Sequence, residues 1–122
     1  MRETTEAIVG AVTGPPTAPR TLLLGRYDNA GRFQYTGRTT TLPQAPGRTI
    51  APLLTPADSG HPWTGWSFSA GWGTRETLDV ALVRPELVME VGVDIARDTA
   101  ERWHRPRPDL TPADVPRFPS PR

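Results

Sequence analysis

The sequence predicts an all-β domain with little helix, and three observations carry that prediction. Fifteen prolines among 122 residues argue against a helical bundle, because each interior proline deletes a helix hydrogen bond and clashes with the preceding turn. Two stretches, "TLLLGRYDNAGRFQYTGR" and "ELVMEVGVDI", alternate apolar or aromatic residues with polar ones, as half-buried strands do. Only residues 42–54 carry apolar side chains at helical spacing, in Ile50, Leu53 and Leu54.

The elements follow in chain order. Thr5 to Gly14 is β-branched and ends in glycine, so it reads as a strand. "GPPTAPR" turns the chain stiffly. Leu22 to Leu24 lead into Arg26 and Tyr27, "DNAG" supplies turn residues, and Phe33, Gln34, Tyr35 and Thr36 alternate: a β-hairpin with a loop of about three to five residues. Thr41 is positioned to cap a helix over 42–54 whose first turn accepts Pro43, while Pro46 and Pro52 keep it short or distorted. A loop rich in Gly, Ser and Thr then carries Trp63, Trp66 and Trp72, and Leu78 to Val83 reads as a short strand. In "ELVMEVGVDI", Leu87, Met89, Val91, Val93 and Ile95 share one face; Glu86, Glu90, Gly92 and Asp94 share the other, breached only by Val88. "RWHRPRPDL", Arg102 to Leu110, is the last strand, and Pro106 confines it to an edge or a bulge. We expect one domain over 1–116 and a disordered proline-rich tail over 117–122.

This β-β-β-α-β-β order is that of the oligonucleotide/oligosaccharide-binding (OB) fold, a five-stranded antiparallel Greek-key barrel with one short helix. An SH3-like barrel is the competing architecture; the helix between the third and fourth strands favours OB.

Composition narrows the chemistry. Without cysteine there is no disulfide, thiolate metal site or cysteine nucleophile. All fourteen basic residues are arginine, a side chain that forks onto phosphate but does not act as a nucleophilic amine. No segment reads as a signal peptide or a membrane span, so the expected location is cytoplasmic. Residues 1–57 hold six arginines against three acids, 58–101 three against eight, and 102–122 five against two. Two basic segments therefore flank an acidic middle, and folding either gathers them on one face or leaves scattered, solvated charge.

Three stretches carry a family resemblance. "LLLGRYDNAGRFQYTGR", "RPELVMEVGV" and "RWHRPRPDL" resemble, in that order and over roughly residues 5–116, the C-terminal OB domain of bacterial ATP-dependent DNA ligases; the last looks like the family's motif VI. In that family a nucleotidyltransferase domain supplies a Lys-x-Asp-Gly lysine that attacks ATP, and the OB domain swings over the nucleotide before clamping nicked duplex DNA. The resemblance implies that Arg102, Arg105, Arg107 and Asp109 handle phosphate, and that ATP and Mg2+ matter only in a complete ligase. Arg20, Arg26, Arg32, Arg38 and Arg48 would contact the DNA backbone, with nicked duplex and a nucleotidyltransferase domain in trans as partners. The chain departs from the family in lacking Lys-x-Asp-Gly and any lysine, in placing Leu110 where many relatives have lysine, in a short segment after Ile95, and in Pro106. Alone it is expected to be inactive. The rival readings are a stand-alone, non-catalytic OB module for nucleic acid or protein, and a remnant of a split ligase gene.

The remaining residues have plainer readings. The arginines of the last strand can equally be solvated and paired to nearby acids, and Asp109 can anchor a turn. The tryptophans are expected to cover the barrel rather than stack bases. His61 and His104 are too few for a zinc site, Ser59, His61 and Asp58 are too crowded for a triad, and "GWG" at 71–73 lacks a phosphate loop's context.

Overall fold

The computed structural model describes residues 4–69, 77–92 and 103–119, with backbone only for Trp103 and His104. Six strands form one antiparallel sheet: β1 (Thr4–Thr13), β2 (Thr21–Tyr27), β3 (Phe33–Arg38), β4 (Val80–Leu82), β5 (Val88–Gly92) and β6 (Trp103–Pro106). The order is β3-β2-β1-β5-β6, with β4 also paired to β1. The result is a small all-β, OB-like fold.

The short strand expected over Leu78 to Val83 is β4. β4 and β5 both run antiparallel to β1, one against Ala11 to Thr13 and the other against Thr4 to Ile8. They are two halves of one interrupted strand. Between Leu82 and Val88 five residues face only Val9 and Gly10 of β1, and Pro85, which has no N–H to give the ladder, sits in the extruded part. Val83 donates to the Gly10 carbonyl at 3.1 Å and Val9 to the Leu87 carbonyl at 2.9 Å, closing the ladder on both sides of the interruption.

The helix is short for the reason the prolines predict. α1 (Gln44–Ile50) starts after Pro43, and Pro46 falls in the first turn, where backbone N–H groups have no helical partner. Pro52 then turns the chain into a 3-10 segment over Ala51–Leu53. Thr41 does not cap: the N-cap position is Pro43 and no side chain bonds the first turn.

Both faces of the sheet are buried, which explains Val88. One cluster joins Ala7, Val9, Val12, Leu22, Leu24, Met89 and Val91 to Leu42 and Ile50 from the helical side. The other joins Ile8, Ala11, Leu23 and Val88 to Phe33, Trp63, Phe68 and Val115. β1 switches parity between the two because its pairing with β2 shifts between Val9 and Ala11, leaving Gly10 as a bulge.

Trp63 seals the second face. It is 1 % exposed, stacks on Phe33 with ring centroids 4.6 Å apart, and its indole N–H donates to the Phe33 carbonyl at 2.8 Å. Gly10 makes room for it: a Cβ there would stand 2.5 Å from the indole and 2.7 Å from the Phe33 ring. Trp63 therefore covers the sheet as expected, while Trp66 stays 46 % exposed and Trp72 lies outside the described residues.

The C-terminal segment stays attached to the sheet. Val115 is buried in the second cluster, and past the expected boundary at 116 the Phe118 N–H donates to the Tyr27 carbonyl at 2.9 Å.

Candidate functional site

β6 lies at the end of the strand order, which is where a proline is tolerated. Arg105 pairs with Glu90 and Pro106 with Met89, and the Arg107 N–H donates to the Val88 carbonyl at 2.7 Å. That bond makes Arg107 and Val88 a hydrogen-bonded pair, so Pro106 occupies the alternating position whose nitrogen points away from β5. It removes no ladder bond. The arginines on either side consequently project from the same face, the one shared by Glu90, its cross-strand partner Glu6, and Val88. The pairing shifts between Arg105 and Trp103, and Arg102 lies outside the described residues.

Each of the two arginines is held by a carboxylate, in different ways. Arg105, 65 % exposed, donates its Nε to Glu90 Oε1 at 2.7 Å. The other Glu90 oxygen accepts from the Thr4 hydroxyl on β1 at 3.0 Å. Among the described residues the terminal nitrogens of Arg105 make no hydrogen bond. Arg107 is gripped along one whole edge: Nε to Asp109 Oδ1 at 3.0 Å and Nη2 to Asp109 Oδ2 at 2.8 Å. Leu110 N–H to Arg107 C=O, 3.0 Å, closes the turn that brings Asp109 back, and Leu110 packs beneath against the second core cluster.

The charges respond accordingly. The hydrogen bond from Arg107, reinforced by the positive charge of both arginines, holds the Asp109 carboxyl down at about 2. The same bond raises the Arg107 guanidinium above its ordinary value. Glu90 is lowered, first by the Arg105 hydrogen bond and then by Thr4. These groups are a mutually neutralised cluster in which, among the described residues, Arg105 has both terminal nitrogens without a hydrogen bond and Arg107 has one, Nη1.

The other expected arginines do not join it. Arg26 pairs with Gln34 and lies on the opposite face from Gly25 and Ile8. Its guanidinium is spent on β1, reaching the Glu6 carbonyl at 2.8 and 3.1 Å and the Thr5 hydroxyl at 2.8 Å. Arg38, opposite Leu23, shares the face of Arg105 but stands on β3, at the other end of the strand order. Arg48 is exposed in the last turn of α1. Arg32 pairs with Asp28 at 3.5 Å in the hairpin turn, and the Arg20 stem lies over Gly14.

Glu90 and Thr4 were not among the sequence's candidates. The alternation in "ELVMEVGVDI" puts Glu90 on the polar face, but its pairing with Arg105 depends on the register of β6 against β5, which the sequence does not announce.

His61 has a structural role. It is buried, its Nδ1 accepts the Trp63 N–H at 2.9 Å, its Nε2 has no hydrogen-bond partner among the described residues, and desolvation lowers its pKa. Asp58 is occupied by Arg84 at 2.7 Å, which leaves no triad. The described residues contain no group of three or more His, Cys, Asp or Glu side chains able to hold a metal ion, and no helix among them is long and apolar enough to cross a membrane.

Taken together, an OB-like sheet ending in an arginine-bearing strand defines the class: a small all-β domain with arginines along one rim. Solved structures narrow the likeness. The chain is similar to the ligase domain from M. tuberculosis LigD, with a TM-score of 0.66 and 23% identity over 96% of this chain and 39% of that one. It is also similar to mycobacterial DNA ligase D complexed with ATP and MES, at a TM-score of 0.60 and 24% identity over 96% of this chain and 38% of that one. At these identities the likeness is one of fold, and the chain spans about two-fifths of the length of either structure. No family profile and no curated protein matches the sequence. The DNA-ligase resemblance read from three sequence stretches thus meets, at the level of fold, structures of DNA-ligase domains.

Proposed function

We propose that this chain acts as an OB domain of ATP-dependent DNA-ligase type, binding nicked duplex DNA and lending its last strand to adenylyl transfer on a nucleotidyltransferase domain supplied in trans. The observation that carries this reading is the pair of guanidinium groups on one face of the sheet, from β6 and the residue just after it, with the two terminal nitrogens of Arg105 making no hydrogen bond among the described residues. A guanidinium fork binds phosphate oxygens bidentately and stabilises charge accumulating on a departing pyrophosphate. Asp109 serves by keeping Arg107 in one orientation. Arg102 belongs to the same proposed set by sequence. Arg20, Arg32, Arg38 and Arg48 would add sequence-independent backbone contacts, which position a duplex without reading it.

ATP and Mg2+ belong to the complete ligase. The chemistry they need from a nucleophile is absent here, since the chain contains no lysine. The test is incubation with labelled ATP and Mg2+, with and without a ligase nucleotidyltransferase domain. The chain alone should take up no acid-stable label; in the mixture it should raise adenylation of the other domain, and Arg105→Ala should abolish that gain. Label on this chain, or a gain indifferent to Arg105, would refute the proposal. A non-catalytic nucleic-acid module uses the same arginines for DNA and predicts binding with no effect on adenylation.

A further inference from the structure

We infer that Glu90 is a positioning residue for Arg105: it takes the guanidinium by its Nε edge, so that the two terminal nitrogens are presented outward as the phosphate fork of this strand. The inference rests on the anion-handling role proposed above and adds a residue and a ranking to it.

The carboxylate is built to hold a direction. Glu90 is half-buried, its side chain 18 % exposed beside an Arg105 that is 65 % exposed. Its two oxygens are divided between neighbours on opposite sides: Oε1 receives Arg105 Nε from β6 at 2.7 Å, and Oε2 receives the Thr4 hydroxyl from β1 at 3.0 Å. A carboxylate fixed from both strands cannot swing round to take the terminal nitrogens of Arg105 without giving up Thr4. An arginine held only at Nε keeps its most useful edge open, and immobilising its long stem beforehand reduces the entropy lost on binding.

Arg107 shows the contrasting arrangement. Asp109 occupies Nε and Nη2 together, which closes one edge of that guanidinium. Of the two arginines on this face, Arg105 is also the more exposed, its side chain 65 % exposed against 23 % for Arg107, which makes it the primary fork and Arg107 the supporting charge.

Glu90 also carries negative charge next to the proposed anion, and this makes the test sharp. If Glu90 were only a solvated counter-charge, removing it would strengthen anion binding. If it positions Arg105, removing it weakens binding in spite of the charge lost. Tripolyphosphate binding by the full chain, followed by calorimetry in low salt, separates the two. Glu90→Ala should bind about three- to tenfold more weakly than wild type. Glu90→Gln, whose amide oxygen can still accept from Nε, should bind at least as tightly as wild type. Proton–nitrogen NMR supplies an independent readout: the Arg105 Nε–H signal, assigned by its loss in Arg105→Ala, should be protected from exchange in wild type and Glu90→Gln and unprotected in Glu90→Ala. Equal or tighter binding by Glu90→Ala, with wild type binding normally, overturns this inference alone. Absence of tripolyphosphate binding by folded wild type with its Arg105 Nε–H protected overturns the functional reading, and this one with it.

Discussion

Asp109 grips Arg107 along one edge of the guanidinium, Nε to Oδ1 at 3.0 Å and Nη2 to Oδ2 at 2.8 Å, across a turn that lies just beyond β6. The pair is the bidentate contact of the rim, and it has a consequence in acid. The folded carboxyl titrates at about 2 against an ordinary 3.8. A lowered carboxyl pKa contributes stability above the unfolded value, and that contribution is lost as pH falls from about 4 toward 2. The side-chain carboxyl carbon of Asp109, followed by NMR, should titrate near the lower end of this window in wild type. In Arg107→Gln it should move back toward the ordinary value. An unchanged midpoint in the variant would show that the pair does not form in solution.

His61 should make the fold acid-sensitive at milder pH. Burial lowers its pKa below 6.5, so on acidification the unfolded chain takes up the proton first and stability falls progressively below about pH 6.5. Protonation also places a proton on Nδ1, the atom that accepts the Trp63 N–H. His61→Asn keeps an acceptor oxygen near that position without the titration. Denaturant midpoints measured between pH 7 and 5 should therefore fall more steeply for wild type than for the variant; parallel slopes would count against the buried, neutral imidazole.

Gly10 and Trp63 should behave as one packed unit. Trp63→Ala empties the site over the sheet and should cost about 3–5 kcal/mol. Gly10→Ala drives a methyl into the indole and should cost about 1–3 kcal/mol by overpacking. Because both act on the same contact, the two losses should not add in the double variant, where the methyl no longer meets the indole and only the Phe33 ring remains to shift. Strict additivity in chemical denaturation would contradict the contact.

Arg26 should prove a stability residue before a DNA residue. Its guanidinium is committed to the Thr5 hydroxyl and the Glu6 carbonyl. Arg26→Ala should lower stability by about 1–3 kcal/mol and, at a temperature where the variant remains folded, leave affinity for nicked duplex nearly unchanged. A large loss of affinity without loss of stability would reverse that assignment.

Much of this fold can be read from residue order, and the reasons for the rest are local. The hairpin, the short proline-limited helix and the strand around Met89 follow from periodicity and turn chemistry, which act over a few residues. The split of one strand into β4 and β5 does not, because it depends on how Val9 and Gly10 face a segment more than seventy positions away in the chain. The same holds for the rim. Arg105, Arg107 and Asp109 stand close together in sequence and can be picked out by composition. Glu90 and Thr4 complete the site through two ladder registers, one of them shifted by a bulge. By sequence Arg26 stands with the other arginines expected on the DNA backbone, and only its register reveals that it faces away from the rim.

The central claim, that Arg105 on β6 and Arg107 just after it grip phosphate, is tested most directly by the salt dependence of binding to nicked duplex DNA, measured by fluorescence anisotropy on wild type, Arg105→Gln and Arg48→Gln. Each lost phosphate contact reduces the slope of log affinity against log salt by about 0.9. Arg105→Gln should lower both the affinity and the slope by about that amount, and by more than the helix-borne Arg48→Gln does. A slope and affinity for Arg105→Gln indistinguishable from wild type would contradict the account.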